Sequence, residues 1–296
     1  MVLLFFQQII LGLREGSLFA LIALGLVIVH KTTGVVNFAY GHMGMFAAFM
    51  TYTFYSIMGL PLLVAVLLGI SFAVVIGILT EKFLLRPIRH LSHSAMLIIT
   101  LGMLMILEGL ALLIWKQDFQ QIPNLVVGRP LRLNLGESFL IITRQDLLIF
   151  ILTASIVFGT FFYLKASKLG LAVRATSQNE ESAKLMGIRV GAVYAFAWGL
   201  GTGLSALAAI LAAPRTQVQP NMMLDLQIQG LTAAVLGGFD SLPGAIVGGL
   251  LLGIIEQLVA QYISVELKMG IALFIIILLL LVKPDGILGK STKRRV

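Results

Sequence analysis

The chain has 296 residues, of which 59% are hydrophobic and 11% charged, and its mean hydropathy is +1.02; an ordinary soluble domain carries about 25% charged residues. A formal charge of +8 would suggest nucleic acid in a soluble protein, but here the basic residues sit in short loops between apolar runs, which is a topology signal. Zero cysteines exclude disulfides and cysteine-ligated metal or haem.

Uncharged or nearly uncharged runs fall at 8–29, 35–58, 61–80, 94–115, 147–164, 190–213, 228–262 and 269–282. They are continuous and rich in Leu, Ile, Val, Ala and Gly, unlike the alternating segments of about ten residues in a β-barrel. The expectation is an all-α polytopic transmembrane helical bundle of about eight spans, forming one domain over residues 1–296. The first run starts near residue 8 without a basic n-region or a small-residue cleavage site, so it is expected to be a retained helix rather than a signal peptide. Between residues 32 and 80 there is no Asp, Glu, Lys or Arg, enough for two passes at about 20 residues each.

The run 35–58 opens on Asn37, Phe38, Tyr40, Gly41, His42 and Gly44, a polar and glycine-rich start where a lipid-facing helix wants neither. Asn and His at membrane depth need partners. Two roles remain open: Asn37 caps a helix that follows the loop 31–34, or the segment lines a pathway. Embedded carboxylates are few. Glu15 can pair with Arg14, Glu256 lies within reach of the outer boundary, and Glu108 sits well inside its run, as a pathway or inter-subunit acid or as a satisfied structural one.

Thirteen of the 21 basic residues lie in three segments. Segment 81–93 holds Lys82, Arg86 and Arg89; 165–189 holds Lys165, Lys168, Arg174, Lys184 and Arg189; the tail holds Lys283, Lys290, Lys293, Arg294 and Arg295. These segments are expected in the cytoplasm, which puts the loop 116–146 outside. Parity stays open between eight spans with both termini inside and an odd count with the N-terminus outside. Within 165–189, Ser177 followed by Glu180 matches a capping box for a short helix, with Gly187 as its stop. Such a helix is a docking element or a tidy loop.

The run 228–262 is too long for one span and is cut by Gly237, Gly238, Asp240, Ser241, Pro243 and Gly244, so it, like the run 35–58, is a candidate broken or re-entrant element. Gly237, Gly238, Gly244, Gly248, Gly249 and Gly253 suit close helix packing. Interrupted segments in both halves of a transporter can also mark its site, but this run and 35–58 do not occupy matching offsets. No phosphate-binding glycine loop, HExxH or GxSxG occurs, and His30, His42, His90 and His93 share no metal-ligand spacing. No enzyme, cofactor or metal site is expected, and the energy for active transport must come from an ion gradient or another subunit.

The stretches 16–25 (GSLFALIALG), 34–41 (GVVNFAYG), 86–89 (RPIR), 174–190 (RATSQNEESAKLMGIRV), 232–256 (TAAVLGGFDSLPGAIVGGLLLGIIE) and 284–289 (PDGILG) run through nearly the whole chain in one order. On them the chain resembles the permease subunits of high-affinity ABC importers for branched-chain and other hydrophobic amino acids, which have relatives for urea and short amides. The resemblance implies a subunit of a bacterial or archaeal plasma (inner) membrane. It also implies a second, homologous permease as a heterodimer partner, two cytoplasmic ATP-binding subunits and an extracytoplasmic substrate-binding protein. It makes the segment with Arg174, Glu180, Glu181, Ala183, Lys184 and Gly187 a coupling element for the ATPases. It puts the segment 36–44, with Asn37, Phe38, Tyr40 and His42, in a broken region near the translocation path, to which Glu108 is added as a candidate on its position in the apolar run alone. Family members commonly read Asn-Phe-Ala-His-Gly-Glu where this chain has Tyr40 and His42 in the fourth and sixth places. The rival with a different mechanism is a self-sufficient secondary transporter or channel, which needs embedded carboxylates of which only Glu108 is well placed.

Overall fold

The computed structural model describes residues 2–89, 93–135 and 138–289. His90 and the tail residues Lys290, Lys293, Arg294 and Arg295 lie outside them, as does Glu137 of the loop 116–146. The helices are α1 (Val2–Thr33), α2 (Tyr40–Tyr52), α3 (Leu62–Leu79), α4 (His93–Trp115), α5 (Arg144–Ala166), α6 (Lys168–Gln178), α7 (Glu180–Leu185), α8 (Val190–Thr216), α9 (Leu224–Gly237), α10 (Leu242–Tyr262) and α11 (Lys268–Val282). A π turn, Thr53–Ile57, continues α2, and a second one, Thr80–Leu85, followed by a 3-10 turn, Arg86–Ile88, continues α3.

Among the described residues six helices are long and apolar enough to cross a membrane: α1, α3 with its continuation, α4, α5, α8 and α10. The 15-residue α11 is apolar but shorter. Every expected apolar run carries helix, and the run 228–262 is broken as expected, into α9 and α10. The break is chemical: Gly238 takes φ +104°, which a side chain disfavours, and Ser241 then caps α10 by accepting from the Gly244 amide at 3.1 Å. α1 and α8 are mostly buried, whereas the exposed side chains of α4 and α5 are mostly apolar, Ile98, Leu113, Ile151 and Phe158 among them. An outward apolar face suits hydrocarbon, which is as apolar as leucine.

The loop 116–146 contains an antiparallel hairpin, β1 (Leu131–Leu135) and β2 (Ser138–Ile142), in which Leu131 faces Ile142 and Leu135 faces Ser138. The all-helical expectation missed it. The period-2 alternation of Leu131, Arg132, Leu133, Asn134 and Leu135 is its sequence signal.

The chain divides into two compact units. One consists of residues 28–123 and 158–227. Its core joins α2, α3 and α8 through small residues: Ala47, Ala73 and Ala206 are fully buried together. A Cβ on Gly44 would stand 2.5 Å from the Ser205 hydroxyl, and one on Gly77 2.2 Å from that of Thr202. Close approach of this kind is the usual route to helix packing in lipid. Trp115 stacks on Phe49 and donates its indole N–H to Thr53 Oγ1 at 2.9 Å.

The other unit consists of residues 1–27, 124–157 and 228–296. Its seam is α1 against α10, where a Cβ on Gly249 would meet Ala20 N at 2.5 Å and one on Gly253 would meet Gly16 N at 2.3 Å. At one end of this unit Gln7 exchanges two hydrogen bonds with the Ile141 backbone, Arg14 pairs with Glu15 and Asp146, and Gln8 bonds Gln257 and Gln261. The expected local pairing of Glu15 with Arg14 is thus present. At the end where α10 begins, the Ile287 and Leu288 amides donate to the carbonyls of Leu236 and Gly237, which fixes the segment after α11 against the α9–α10 break.

Candidate functional site

Two constellations in the unit of residues 28–123 and 158–227 carry the candidate chemistry. The first is the segment 165–189. Ser167 caps α6 by accepting from the Gly170 amide at 2.9 Å, and the Arg174 guanidinium turns back to the carbonyls of Leu164 and Lys165 at the end of α5. Asn179 then interrupts the helix with an extended backbone, φ −157° and ψ 112°, and its Oδ1 accepts from the Ser182 amide at 2.8 Å to cap α7. Ser177 is therefore not the cap that the S-x-x-E pattern indicates. It lies within α6, its hydroxyl donating to the Arg174 carbonyl, and the capping role moves to Asn179, where the chain leaves helix. Gly187, at φ +80°, follows the end of α7 as expected. Asn179→Ala is expected to destabilise α7 by about 1 kcal/mol, seen as faster hydrogen exchange at the Ser182 amide.

The charges of α7 follow the helix dipole, with Glu180 and Glu181 in the first turn and Lys184 in the last. Lys184 pairs with Glu180 at 2.7 Å, i to i+4. Ala183 faces inward and packs with Val190 and Tyr194, so it seats the helix rather than presenting it. Leu185 and Met186, at the C-terminal end, are 90% and 81% exposed. Neither is among the coupling residues expected from the sequence, although both are large apolar side chains beside charged neighbours in it.

Glu180 also accepts from the Tyr194 hydroxyl at 2.9 Å. Burial pushes its carboxyl up, but hydrogen bonds from Lys184 and Tyr194 and the Lys184 and Arg89 charges hold it below the ordinary carboxylate range. The stability it contributes is present above the unfolded value and is lost only as pH falls through the depressed folded one. At neutral pH the contact is intact. The Arg89 guanidinium stacks 3.6 Å over the Tyr194 ring. Arg89 and Arg86 both bind the carboxylate of Glu81, whose side chain is 1% exposed. This fully buried acid is not among the embedded carboxylates expected from the sequence, because it stands at the edge of the charge-free run.

The second constellation is the start of α2. Asn37 is 1% exposed, and its Oδ1 accepts from the Ala39 amide at 2.9 Å, which stabilises the turn before α2 rather than its first free amides. Gln227 clamps this turn from both sides: its Nε2 donates to the Phe38 carbonyl at 2.7 Å and its Oε1 accepts from the Gly41 amide at 2.8 Å. The Phe38 amide donates to Thr100 Oγ1. Tyr40 donates its hydroxyl to the Gly201 carbonyl at 2.8 Å and accepts at its own carbonyl from Ser205. Irregular backbone at membrane depth is thereby satisfied by protein. His42 is 1% exposed, neither ring nitrogen has a hydrogen-bond partner among the described residues, and its Nε2 lies 3.9 Å from the carboxylate of Glu108, which is 35% exposed on α4.

The remaining sequence candidates lie in the other unit and pack its helices. A Cβ on Gly237 would meet the Gly244 carbonyl oxygen at 1.9 Å, and one on Gly248 the Ala233 carbonyl oxygen at 2.2 Å. Gly238 abuts Asp285 and Gly289. Glu256 is buried and accepts from Gln229 Nε2 at 2.9 Å, so it is a satisfied acid.

Comparison with known proteins gives a coherent set of matches. Residues 8–281 match the family model described as the permease component of the branched-chain amino acid transport system. The chain is 34% identical, over 99% of its own length and 98% of the relative's, to the high-affinity branched-chain amino acid transport system permease protein BraD of Pseudomonas aeruginosa. It is likewise 34% identical to the permease protein LivH of Escherichia coli K12 over 99% and 98% of the two chains. A probable branched-chain amino acid transport permease protein LivH of Methanocaldococcus jannaschii shares 28% identity over 94% and 91%. No solved structure matches.

Proposed function

The chain belongs to the family of permease components of branched-chain amino acid transport systems, and from that premise we propose that it is one membrane-spanning half of an ABC importer working with separate ATPases. It is a multi-pass membrane transport permease of the bacterial or archaeal inner membrane, and its cargo is branched-chain amino acids. The observation that carries this is similarity to such permeases over essentially the full length of both chains.

The sequence has no phosphate-binding loop for ATP, so the reading takes two cytoplasmic ATP-binding subunits as the power source. A second, homologous permease completes the membrane part as a heterodimer, and an extracytoplasmic binding protein delivers substrate. The whole of 1–296 acts as one permease domain, with the hairpin loop 116–146 outside and the loop 165–189 in the cytoplasm. The bonds of Gln7 to Ile141 support an N-terminus on the outer side, and hence an odd number of crossings, the second of the two parities left open by charge alone.

In this scheme α7 docks on an ATPase through Leu185, Met186 and the exposed Glu181. Glu180 and Lys184 hold the helix together, Ala183 seats it, Arg174 anchors α6, and Gly187 ends it. Asn37, Phe38, Tyr40, His42 and Glu108 border the translocation path. The support for a path is Glu108: a carboxylate one-third exposed within an apolar helix is costly against lipid and favours water or a neighbouring subunit. The six glycines from Gly237 to Gly253 set the helix spacing.

The test is reconstitution in liposomes. With the copurifying ATPases, binding protein and internal ATP, leucine accumulates; the chain alone, under a pH or sodium gradient, accumulates none. Gradient-driven uptake by the chain alone overturns the proposal. Competition of leucine uptake by urea or acetamide would shift the cargo to short amides.

A further inference from the structure

The docking loop and the end of α3 are joined by side chains that the function just proposed does not use. The first member is Glu81, which lies in the π turn Thr80–Leu85 that continues α3 and is fully buried. One extra residue per turn re-aims a side chain, and such turns recur at functional positions. Here the turn directs a carboxylate inward at the edge of a span where an exposed one would be cheaper.

Both carboxylate oxygens are occupied. Glu81 Oε2 accepts from Arg86 Nη2 at 2.6 Å, and Oε1 accepts from Arg89. The same Arg86 nitrogen donates to the Gly191 carbonyl at 2.7 Å, in the first turn of α8. A Cβ on Gly191 would stand 3.0 Å from the guanidinium carbon, so glycine leaves room for the arginine to lie against the helix. The Arg89 guanidinium carbon sits over the Tyr194 ring, Tyr194 donates to Glu180, and Glu180 pairs with Lys184 on α7. From Glu81 through Arg89, Tyr194 and Glu180 to Lys184 each side chain touches the next, and the four charged groups on this path alternate in sign, with Arg86 as a second cation on Glu81.

We infer that Glu81 is a positioning residue for energy coupling, holding the end of α3, the start of α8 and the docking helix α7 as one rigid body. This rests on the proposed docking role of α7. A buried carboxylate held by two guanidinium groups resists displacement, since moving it away from both leaves an uncompensated buried charge. A push on α7 therefore reaches α3 instead of being absorbed in the loop. Without the strut, α7 would be held by Ala183, Val190 and their small apolar neighbours.

The chain has no cysteine, so two introduced ones can be spin-labelled in the full-length protein. Ser182→Cys on α7 and Phe83→Cys beside Glu81 are both exposed, and their distance distribution is read by double electron–electron resonance in nanodiscs. The parent gives a narrow distribution; Glu81→Gln and, independently, Tyr194→Phe broaden it. In the reconstituted complex the same two variants raise the ATP hydrolysed per leucine imported by about tenfold, with affinity for the binding protein unchanged. Tyr194→Phe removes a single hydroxyl and decides the matter if Glu81→Gln does not fold. A distribution that stays narrow in the folded variants overturns the inference, whatever the transport assay shows. A parent that fails to couple ATP to uptake instead overturns the docking role, and the spin-label distances still report on the strut.

Discussion

Gly253→Ala lowers the stability of the protein by about 2 kcal/mol, whereas Gly102→Ala leaves it unchanged or raises it by up to about 1 kcal/mol. The two substitutions add the same single carbon to a transmembrane helix and gain the same helix propensity, so their difference isolates packing. At position 253 the new Cβ would stand 2.3 Å from Gly16 N, 2.4 Å from the Gly12 carbonyl oxygen and 2.5 Å from Gly16 Cα. These are backbone atoms and cannot rotate away. α1 and α10 must separate along the whole seam, where a Cβ on Gly12 or Gly16 would likewise stand under 3 Å from the Cα of Ile254 or Leu250. At position 102 a Cβ meets nothing within 4 Å among the described residues. Thermal inactivation midpoints in one detergent, or half-lives at one temperature, read the contrast. Equal midpoints would mean that the glycines of α10 serve something other than close packing.

What the sequence made legible is what is encoded locally. Charge-free runs mark the long helices because hydrocarbon forbids unpaired charge wherever a helix crosses, and the break between α9 and α10 is written in Gly238, Ser241 and Pro243 within a few residues. The pairing of Arg14 with Glu15 is one residue apart and was equally readable. Contacts that close over long separations were not. Gln227 clamps the start of α2 from 186 residues away, and Gln229 satisfies Glu256 from 27 away; nothing near either glutamine announces its partner. Glu81 was invisible for a different reason. A charge at the end of an apolar run is the expected boundary marker, and only the π turn, which has no sequence signature here, turns it inward.

The docking loop shows where a correct local rule meets a competing one. Ser177 and Glu180 satisfy the capping-box pattern, yet Asn179 also caps well, and the choice depends on where α6 ends. Because α6 runs on to Gln178, the first residue free to leave helix is Asn179, and α7 is shortened to six residues. That shift puts Ala183 on the inner face and leaves Leu185 and Met186 projecting at the far end. A substitution at Ala183 therefore tests the integrity of the loop, while one at Leu185 or Met186 tests its surface.

Replacing Leu185 and Met186 together by alanine weakens the hold of the ATPase subunits by roughly several hundredfold. Each truncation removes about three carbon-sized groups from an apolar contact at about 0.8 kcal/mol per group, and with incomplete burial the pair comes to about 3–4 kcal/mol. Both side chains are almost fully exposed in the isolated chain, so their removal leaves no cavity and costs the fold little. Affinity is read by titrating the purified ATPase onto the permease in nanodiscs, and leucine uptake falls with it in the reconstituted system. Hydrogen exchange at the Ser182 amide, where Asn179 caps α7, stays at the parent rate and shows that the loop is intact. Ala183→Asp gives the opposite pattern, because a carboxylate forced against Val190 and Tyr194 has no partner there and unseats α7. An alanine pair that binds the ATPase as tightly as the parent would move the docking surface away from the end of α7, to the charged first turn at Glu181.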